Sequence, residues 1–351
     1  MTEKSFELSP GYTISRVIRG GWQLAGGHGA IDREQAVTDL IATFDAGIRT
    51  YDCADIYTGV EELIGAARLR LANERGLDAA AKMKVHTKLV PDLERLANIS
   101  RDYVRGIVDQ SLRRLKTERL DLVQFHWWDY ALPGYVDAMD WLNDLRSEGK
   151  VRNVGTTNFD TPHLAEILAA GVPLVSQQLQ YSVLDQRPAN SLAALAKQNG
   201  VSFLCYGSVA GGFLSDRWLD VAEPQTPLEN RSLVKYKLII DDFGGWELFQ
   251  ELLRTLKAVA DRHGVDIATV ASAWVLEQPQ VAAVIVGARN QAHALANAGI
   301  MDVALDAEDR ARIAAVIEQS RGPLGDVYTL ERDRHGRHGS IMHYNLNAGR
   351  I

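Results

Sequence analysis

The sequence predicts one (β/α)8 barrel, and three observations carry that expectation. From Arg16 onward, short apolar and β-branched runs alternate with longer amphipathic segments, the pattern of strands joined by crossover helices around a parallel sheet. Eight such runs occur, the number that closes a barrel. No Pro- or Ser-rich break divides the chain, although its 351 residues would allow two domains at roughly 150 residues each.

The expected strands are Arg16 to Leu24, Ile48 to Cys53, Met83 to Lys88, Leu120 to His126, Arg152 to Thr156, Leu174 to Gln178, Ser202 to Tyr206 and Ala282 to Val286. Between them, Arg101 to Lys116 and Gly134 to Ser147 repeat apolar residues every three or four positions with charges on the other face, as helices covering a barrel must. Thr161 before Pro162 offers a capping hydroxyl at a helix start, and Gly171, Gly200 and Gly264 follow helical runs where a terminating glycine is expected. Two stretches exceed the repeating unit: Gly207 to Gly245 after the seventh strand, and the tail from Gly322 to Ile351. The division is thus a barrel over residues 1–321 and a tail over 322–351, with the first surplus a candidate lid or cofactor clamp. The tail carries His335, His338 and His343 with no carboxylate or cysteine completing a recognisable metal set, and reads as a frayed or loosely docked end.

Composition narrows the function classes. With 46% hydrophobic and 24% charged residues, the chain is not disordered. A net charge of −7 lacks the basic footprint of a nucleic-acid binder. No stretch approaches the ~18 uninterrupted apolar residues of a membrane span, and the polar start MTEKSFELSPGYTISR lacks a signal core, so a cytoplasmic location without a membrane partner is expected. Cys53 and Cys205 are too few for a disulfide framework and have no zinc spacing. Each flanks a candidate site residue, where sensitivity to oxidation is expected.

In a barrel the reactive side chains come from the C-terminal ends of strands. Asp52 ends the second strand, Tyr57 lies five residues on, Lys88 ends the third and His126 the fourth. Singly, each has a structural explanation: a helix cap, a half-buried aromatic, a surface cation, a core imidazole. Converging on one mouth, they make a tyrosine acid/base whose pKa, near 10 when unperturbed, is lowered by the adjacent ammonium. Asp52 would hold Lys88 charged, and His126 would position a carbonyl oxygen.

These residues carry a resemblance. The stretch GIRTYDCADIYTGVEELIG from Gly47 to Gly65 is similar to the first signature of the aldo-keto reductases, with Asp52, Tyr57, Glu61 and Gly65 at matching places and a loop after Ala54 one residue longer than in many members. Further matches follow in order at Thr87-Lys88, His126, Thr157-Asn158-Phe159, Gln177-Gln178, Tyr181-Ser182, Tyr206-Gly207-Ser208 and VIVGARNQAHALAN, spanning Arg16 to Gln319. The resemblance implies NAD(P)H-dependent reduction of an aldehyde or ketone, or the reverse oxidation, without metal or flavin. Tyr57 would donate the proton, Lys88 and Asp52 would tune it, and His126 would orient the substrate.

The same resemblance assigns cofactor contacts. Asn158 and Gln178, beside Thr157 where the family often has serine, would bond the carboxamide, and Tyr206 would stack on the nicotinamide. Gly207, Ser208 and the amides through Leu214 would follow the pyrophosphate, with Gly287, Arg289, His293 and Asn297 around the adenosine end. Neither GxGxxG nor GxxxxGK occurs, and the glycines of GGWQLAGGHG read as a turn. Arg289 is the one clear cation for a 2′-phosphate, and Ala296 replaces the family's glutamate, so NADP(H) is favoured and NAD(H) stays open.

Trp22, Trp127 and Trp128 fall where the family builds its substrate pocket, and without a nearby extra cation they point to an apolar or sugar-like carbonyl. The tail is expected over the same pocket. Two rival readings stand beside this one. A nicotinamide-sensing regulatory subunit of the potassium-channel β type shares the fold and tetrad, though no extra N-terminal segment supports it here. A metal-dependent hydrolase or isomerase on Asp52 and His126 would have Lys88 repelling its cation. Monomer or homo-oligomer is left undecided, with a small-molecule carbonyl or alcohol as the expected partner.

Overall fold

The computed structural model describes residues 4–25, 31–225, 227–288 and 290–347. An antiparallel hairpin, Ser5–Ser9 (β1) and Tyr12–Ser15 (β2), precedes the barrel. The parallel strands are Val17–Gly20 (β3), Thr50–Asp52 (β4), Lys84–Leu89 (β5), Leu120–Phe125 (β6), Val151–Thr157 (β7), Leu174–Gln180 (β8), Ser202–Tyr206 (β9) and Val281–Gly287 (β10). They close in the order β10-β3-β4-β5-β6-β7-β8-β9. Each overlaps an expected run; the first is shorter, because the chain turns into a short 3-10 helix at Trp22–Leu24.

Strand parity decides which side chains reach the barrel interior. On β6, Leu122 and Gln124 point inward with His126 beyond them, while Val123 and Phe125 pack outward under the helices. The hairpin, which periodicity from Arg16 onward does not reach, plugs the N-terminal end of the barrel. Leu8, Tyr12 and Ile14 bury against Ile18, Leu122, Leu204 and Ile285. Gly11 turns the hairpin at φ 67 and accepts a hydrogen bond from Arg152 Nη2 at 2.7 Å. With that end filled, the opening lies at the C-terminal ends of the strands.

The helices follow local signals with one correction. Thr161 does not cap its helix: Asp160 does, accepting from His163 N at 3.2 Å, while Thr161 Oγ1 pairs with Ser191 Oγ. The proline thus sits inside the first turn, where no backbone donor is required of it. Gly200 and Gly264 terminate Ser191–Asn199 and Trp246–His263 in the left-handed region, as expected.

Gly65 has a packing reason. A Cβ there would lie 2.3 Å from the Arg114 carbonyl oxygen, so Val60–Arg75 crosses the end of Arg101–Arg114 backbone to backbone. Gly65→Ala is expected to cost about 1–3 kcal/mol as overpacking. A lowered urea midpoint with unchanged slope would check it.

The described part of the tail, residues 322–347, is closely docked, where a frayed or loosely docked end was expected. Arg332 donates to the carbonyl oxygens of Trp127, Trp128 and Asn158 and to the Tyr130 hydroxyl oxygen. Buried Glu331 pairs with Arg187, which also pairs with Asp185. Asn347, 2% exposed, bonds Asp92, Asp55 and the Val90 carbonyl. His338 is engaged by Asp242 at 2.7 Å, and no group of three or more metal-binding side chains forms among the described residues. No described helix is long and apolar enough to cross a membrane.

Candidate active site

Asp52 ends β4 on the interior side, level with Gly20 of β3 and His86 of β5. Its two carboxylate oxygens are fully engaged. Oδ1 takes Lys88 Nζ at 2.6 Å, and Oδ2 takes Gln178 Nε2 at 2.6 Å and Gln124 Nε2 at 3.1 Å. Lys88 also donates to the Cys53 carbonyl at 2.8 Å. Burial alone would favour a neutral amine at Lys88, but Asp52, then Tyr57, outweigh it and hold the ammonium. Gln124 is a member of this cluster that motif reading missed; the alternation in LDLVQFH places it on the inward parity of His126.

Tyr57 hangs over this pair from the loop after β4. Lys88 Nζ lies 5.0 Å from its ring centroid, and Trp22 meets the ring edge-on at 5.0 Å. Here the sign of the expected shift is corrected: burial raises the phenol pKa by more than Lys88 lowers it. The cause is the Lys88 charge being largely answered by Asp52, leaving a desolvated phenol. Tyr57 is therefore protonated at neutral pH.

His126, 2% exposed, sets Nδ1 3.1 Å from the Thr157 carbonyl oxygen. Burial, then the Arg332 cation, pushes its pKa down to about 3, so the ring is neutral. Since a carbonyl only accepts, the ring hydrogen sits on Nδ1. Nε2 is left with a lone pair and no partner among the described residues.

The four residues border one cavity of about 300 Å³. Thr157, Asn158, Gln178, Tyr206, Gly207 and Gly287 line the same space. Tyr206 donates its hydroxyl to Asn158 Oδ1 at 2.8 Å, leaving the Asn158 amide nitrogen as a donor. Gln178 has its nitrogen on Asp52 and Gln124, leaving its oxygen as an acceptor. That donor and acceptor match the two ends of a carboxamide, and the buried, unpartnered Thr157 Oγ1 adds a third polar atom.

Other expected contacts fall elsewhere. Ser208 is fully buried with its hydroxyl on Ser272 at 3.1 Å, and Leu214 is a core residue; neither lines the cavity. The bare faces of Gly207 and Gly211 are covered by Tyr236, whose hydroxyl lies 2.4 Å from a Cβ built on Gly207. His293 is an exposed side chain beginning the helix Gln291–Ala298, and Asn297 Nδ2 bonds the Gly287 carbonyl at 3.1 Å. Arg289 lies outside the described residues.

Trp22 and Trp128 are in the cavity wall, but Trp127 is not. Parity turns it away after His126, into the core beside Phe125 and Tyr135, with its N–H on the Asp129 and Leu132 carbonyls. The expectation of no extra cation also fails. Arg231 and Lys235 reach the cavity from the helix Arg231–Phe243, inside the long segment after β9. Tyr328, Ile341, Met342 and Leu346 of the tail complete the wall. Excess length marked both segments, but their pocket residues come from helix facing and docking, which no local motif encodes.

Both thiols are inert rather than exposed to oxidation. Cys53 and Cys205 are 0% exposed, and burial pushes each thiol pKa upward. Neither is expected to react with a thiol reagent until the chain unfolds, with or without nicotinamide cofactor; labelling under native conditions would contradict this.

The family model "Aldo/keto reductase family" matches residues 16–318. This chain belongs to the aldo/keto reductase family. A relative from Escherichia coli, the NADH-specific methylglyoxal reductase, is 27% identical over 313 residues, covering 85% of this chain and 93% of that protein. The glycerol dehydrogenase of Gluconobacter oxydans superposes with a TM-score of 0.73 at 25% identity, covering 90% and 95% of the two chains. A Klebsiella pneumoniae aldo-keto reductase in complex with NADPH superposes with a TM-score of 0.68 at 24% identity, covering 93% and 100%. It shares the fold.

Proposed function

We propose that this aldo/keto reductase interconverts an aldehyde or ketone and its alcohol, with Tyr57 as the proton donor and NADP(H) favoured over NAD(H) as the redox partner. One observation carries the reading: a protonated, half-buried phenol stands beside a compensated Lys88–Asp52 pair, at a cavity shared with a neutral imidazole. When bound, the reduced nicotinamide supplies a hydride equivalent to the carbonyl carbon. Asn158, Gln178 and Thr157 would hold its carboxamide, and Tyr206 would support its ring. Gly207 and Gly211, now covered by Tyr236, would meet the phosphates if that ring turned aside.

Tyr57 donates its hydrogen to the carbonyl oxygen as charge develops there, and the Lys88 ammonium stabilises the phenolate that results. With its ring hydrogen on Nδ1, His126 does not donate from Nε2, and the Lys88 ammonium is engaged by Asp52 and the Cys53 carbonyl, so Tyr57 is the proton donor to that oxygen. The Nε2 lone pair accepts from the hydroxyl of the alcohol while Tyr57 is protonated, and in oxidation the same hydrogen turns to the Tyr57 phenolate.

The two possible nicotinamides are each represented among related proteins, NADH in the name of the E. coli relative and NADPH in the Klebsiella structure. Aldehyde-dependent oxidation of NADPH and NADH, followed side by side by absorbance, tests the reading. Faster use of NADPH is expected. Failure to oxidise either with a panel of aldehydes, ketones and sugars would overturn it.

A further inference from the structure

The charges around the cavity leave a cation over. Among its described lining residues the one carboxylate is Asp52, already bonded to Lys88, Gln124 and Gln178. Arg231 and Lys235 remain. Arg231 is exposed and gives Nη2 to the Ile341 carbonyl at 2.9 Å. Lys235 is half-buried, its Nζ 5.0 Å from the ring centroid of Tyr206, 5.5 Å from that of Tyr236 and 5.8 Å from that of Tyr328.

Three aromatic rings stabilise the ammonium without saturating its three N–H donors. Among the described residues Lys235 has no ion-pair partner and no hydrogen-bond acceptor. Glu331 acts on it through space, but that carboxylate is held by Arg187 at 3.1 Å. Lys235 therefore contributes to the charge balance of the buried cluster while its donors stay free.

Its position relates it to the reacting end. Tyr328, held at φ 62, meets His126 edge-on with ring centroids 5.6 Å apart. A non-glycine residue in the left-handed region is costly and persists where the surroundings impose it. One tyrosine ring thus separates the Lys235 ammonium from the imidazole.

We propose that Lys235 holds an oxyanion of the substrate, so that the carbonyl compound carries a carboxylate or phosphate a few bonds from its carbonyl. The proposal rests on the oxidoreductase reading above. The cofactor's pyrophosphate has the same chemistry, and Tyr206 and Tyr236 stand on that side; the assignment to substrate rests on Tyr328, the third ring around the ammonium, which borders His126.

The test compares charged and neutral substrates of similar size: para-carboxybenzaldehyde against para-tolualdehyde, and glyceraldehyde phosphate against glyceraldehyde. In the wild type the anionic member of at least one pair has the higher kcat/KM. Lys235→Met lowers the anionic-to-neutral ratio about tenfold or more, as loss of a charge-assisted contact predicts, and Lys235→Arg restores most of it. An unchanged ratio overturns the proposal. So does an equal fall for both members together with weaker NADPH binding, which would assign Lys235 to the cofactor.

A second readout needs no turnover. Tryptophan quenching of the cofactor-free chain by para-carboxybenzaldehyde is expected to weaken with added salt in the wild type and in Lys235→Met to match para-tolualdehyde. If no aldehyde were reduced, the oxidoreductase reading would fail while this titration still decided the anion site: binding insensitive to charge and salt overturns it. Where the methionine variant does not fold, Lys235→Gln takes its place in the titration, and a wild-type series insensitive to salt overturns the proposal without any variant.

Discussion

Tyr57→Phe is expected to lower kcat for carbonyl reduction by roughly 10²–10⁴, the usual contribution of a positioned acid. The effect falls on kcat because the ring, its edge contact with Trp22 and the Lys88–Asp52 pair all survive. Cofactor affinity, read by tryptophan quenching, is expected to stay near wild type, since Asn158 and Gln178, the proposed carboxamide partners, are held by Tyr206, Asp52 and Gln124. A variant that kept the wild-type kcat would remove Tyr57 from the chemistry. The pH dependence has a definite sign. Burial raises the phenol pKa, so reduction keeps its proton donor through neutral and mildly alkaline pH, whereas alcohol oxidation, which needs the phenolate, speeds up as pH rises.

Arg187→Met is expected to be the most destabilising single change, at about 3–5 kcal/mol. The guanidinium is 3% exposed and makes four bonds to two buried carboxylates, Asp185 at 3.0 and 2.8 Å and Glu331 at 3.1 Å to each oxygen. Without it both carboxylates remain buried, with Lys235 the nearby cation. The tail would lose its anchor beside Tyr328, so the KM for the carbonyl should rise as thermal stability falls. Burial by itself would raise the Glu331 pKa, but Arg187, then Lys235, hold it at about 2, against 4.5 for a free side chain. This lowered value contributes stability that is fully present above pH 4.5 and is lost as pH falls toward 2. In Arg187→Met that dependence should shrink or reverse, because protonating Glu331 would then relieve a buried charge. Thermal melts of both proteins across that range would check it, and equal melting temperatures would contradict the anchor.

The legible parts of the site are those written in strand periodicity. Asp52, Lys88 and His126 sit at strand ends, and a two-residue period carries their direction into the barrel, so local sequence places them. The same period, taken two residues past His126, would have separated Trp128 in the wall from Trp127 in the core. The hairpin also carries its signal locally, in the alternation of Phe6, Leu8, Tyr12 and Ile14 around Gly11. The sign of the Tyr57 shift was not legible, because it weighs burial against a cation whose own partner is 36 residues away in the chain. Ser208 and Leu214 likewise match a motif in sequence while folding places them against Ser272 and in the core.

By itself the sequence determined the eight strands, the barrel and the placing of Asp52, Lys88 and His126 at its mouth, since each follows from short-range alternation and from side chains at strand ends. Only the tertiary structure decided which surfaces close the pocket. Arg332 reaches the Trp127 carbonyl across 205 residues, and Glu331 reaches Arg187 across 144. Contacts at such separations depend on how whole segments dock to exclude water from charged groups, and no window of neighbouring residues contains that information. The same docking turns Lys235 toward the cavity and makes a long loop and tail into parts of the site.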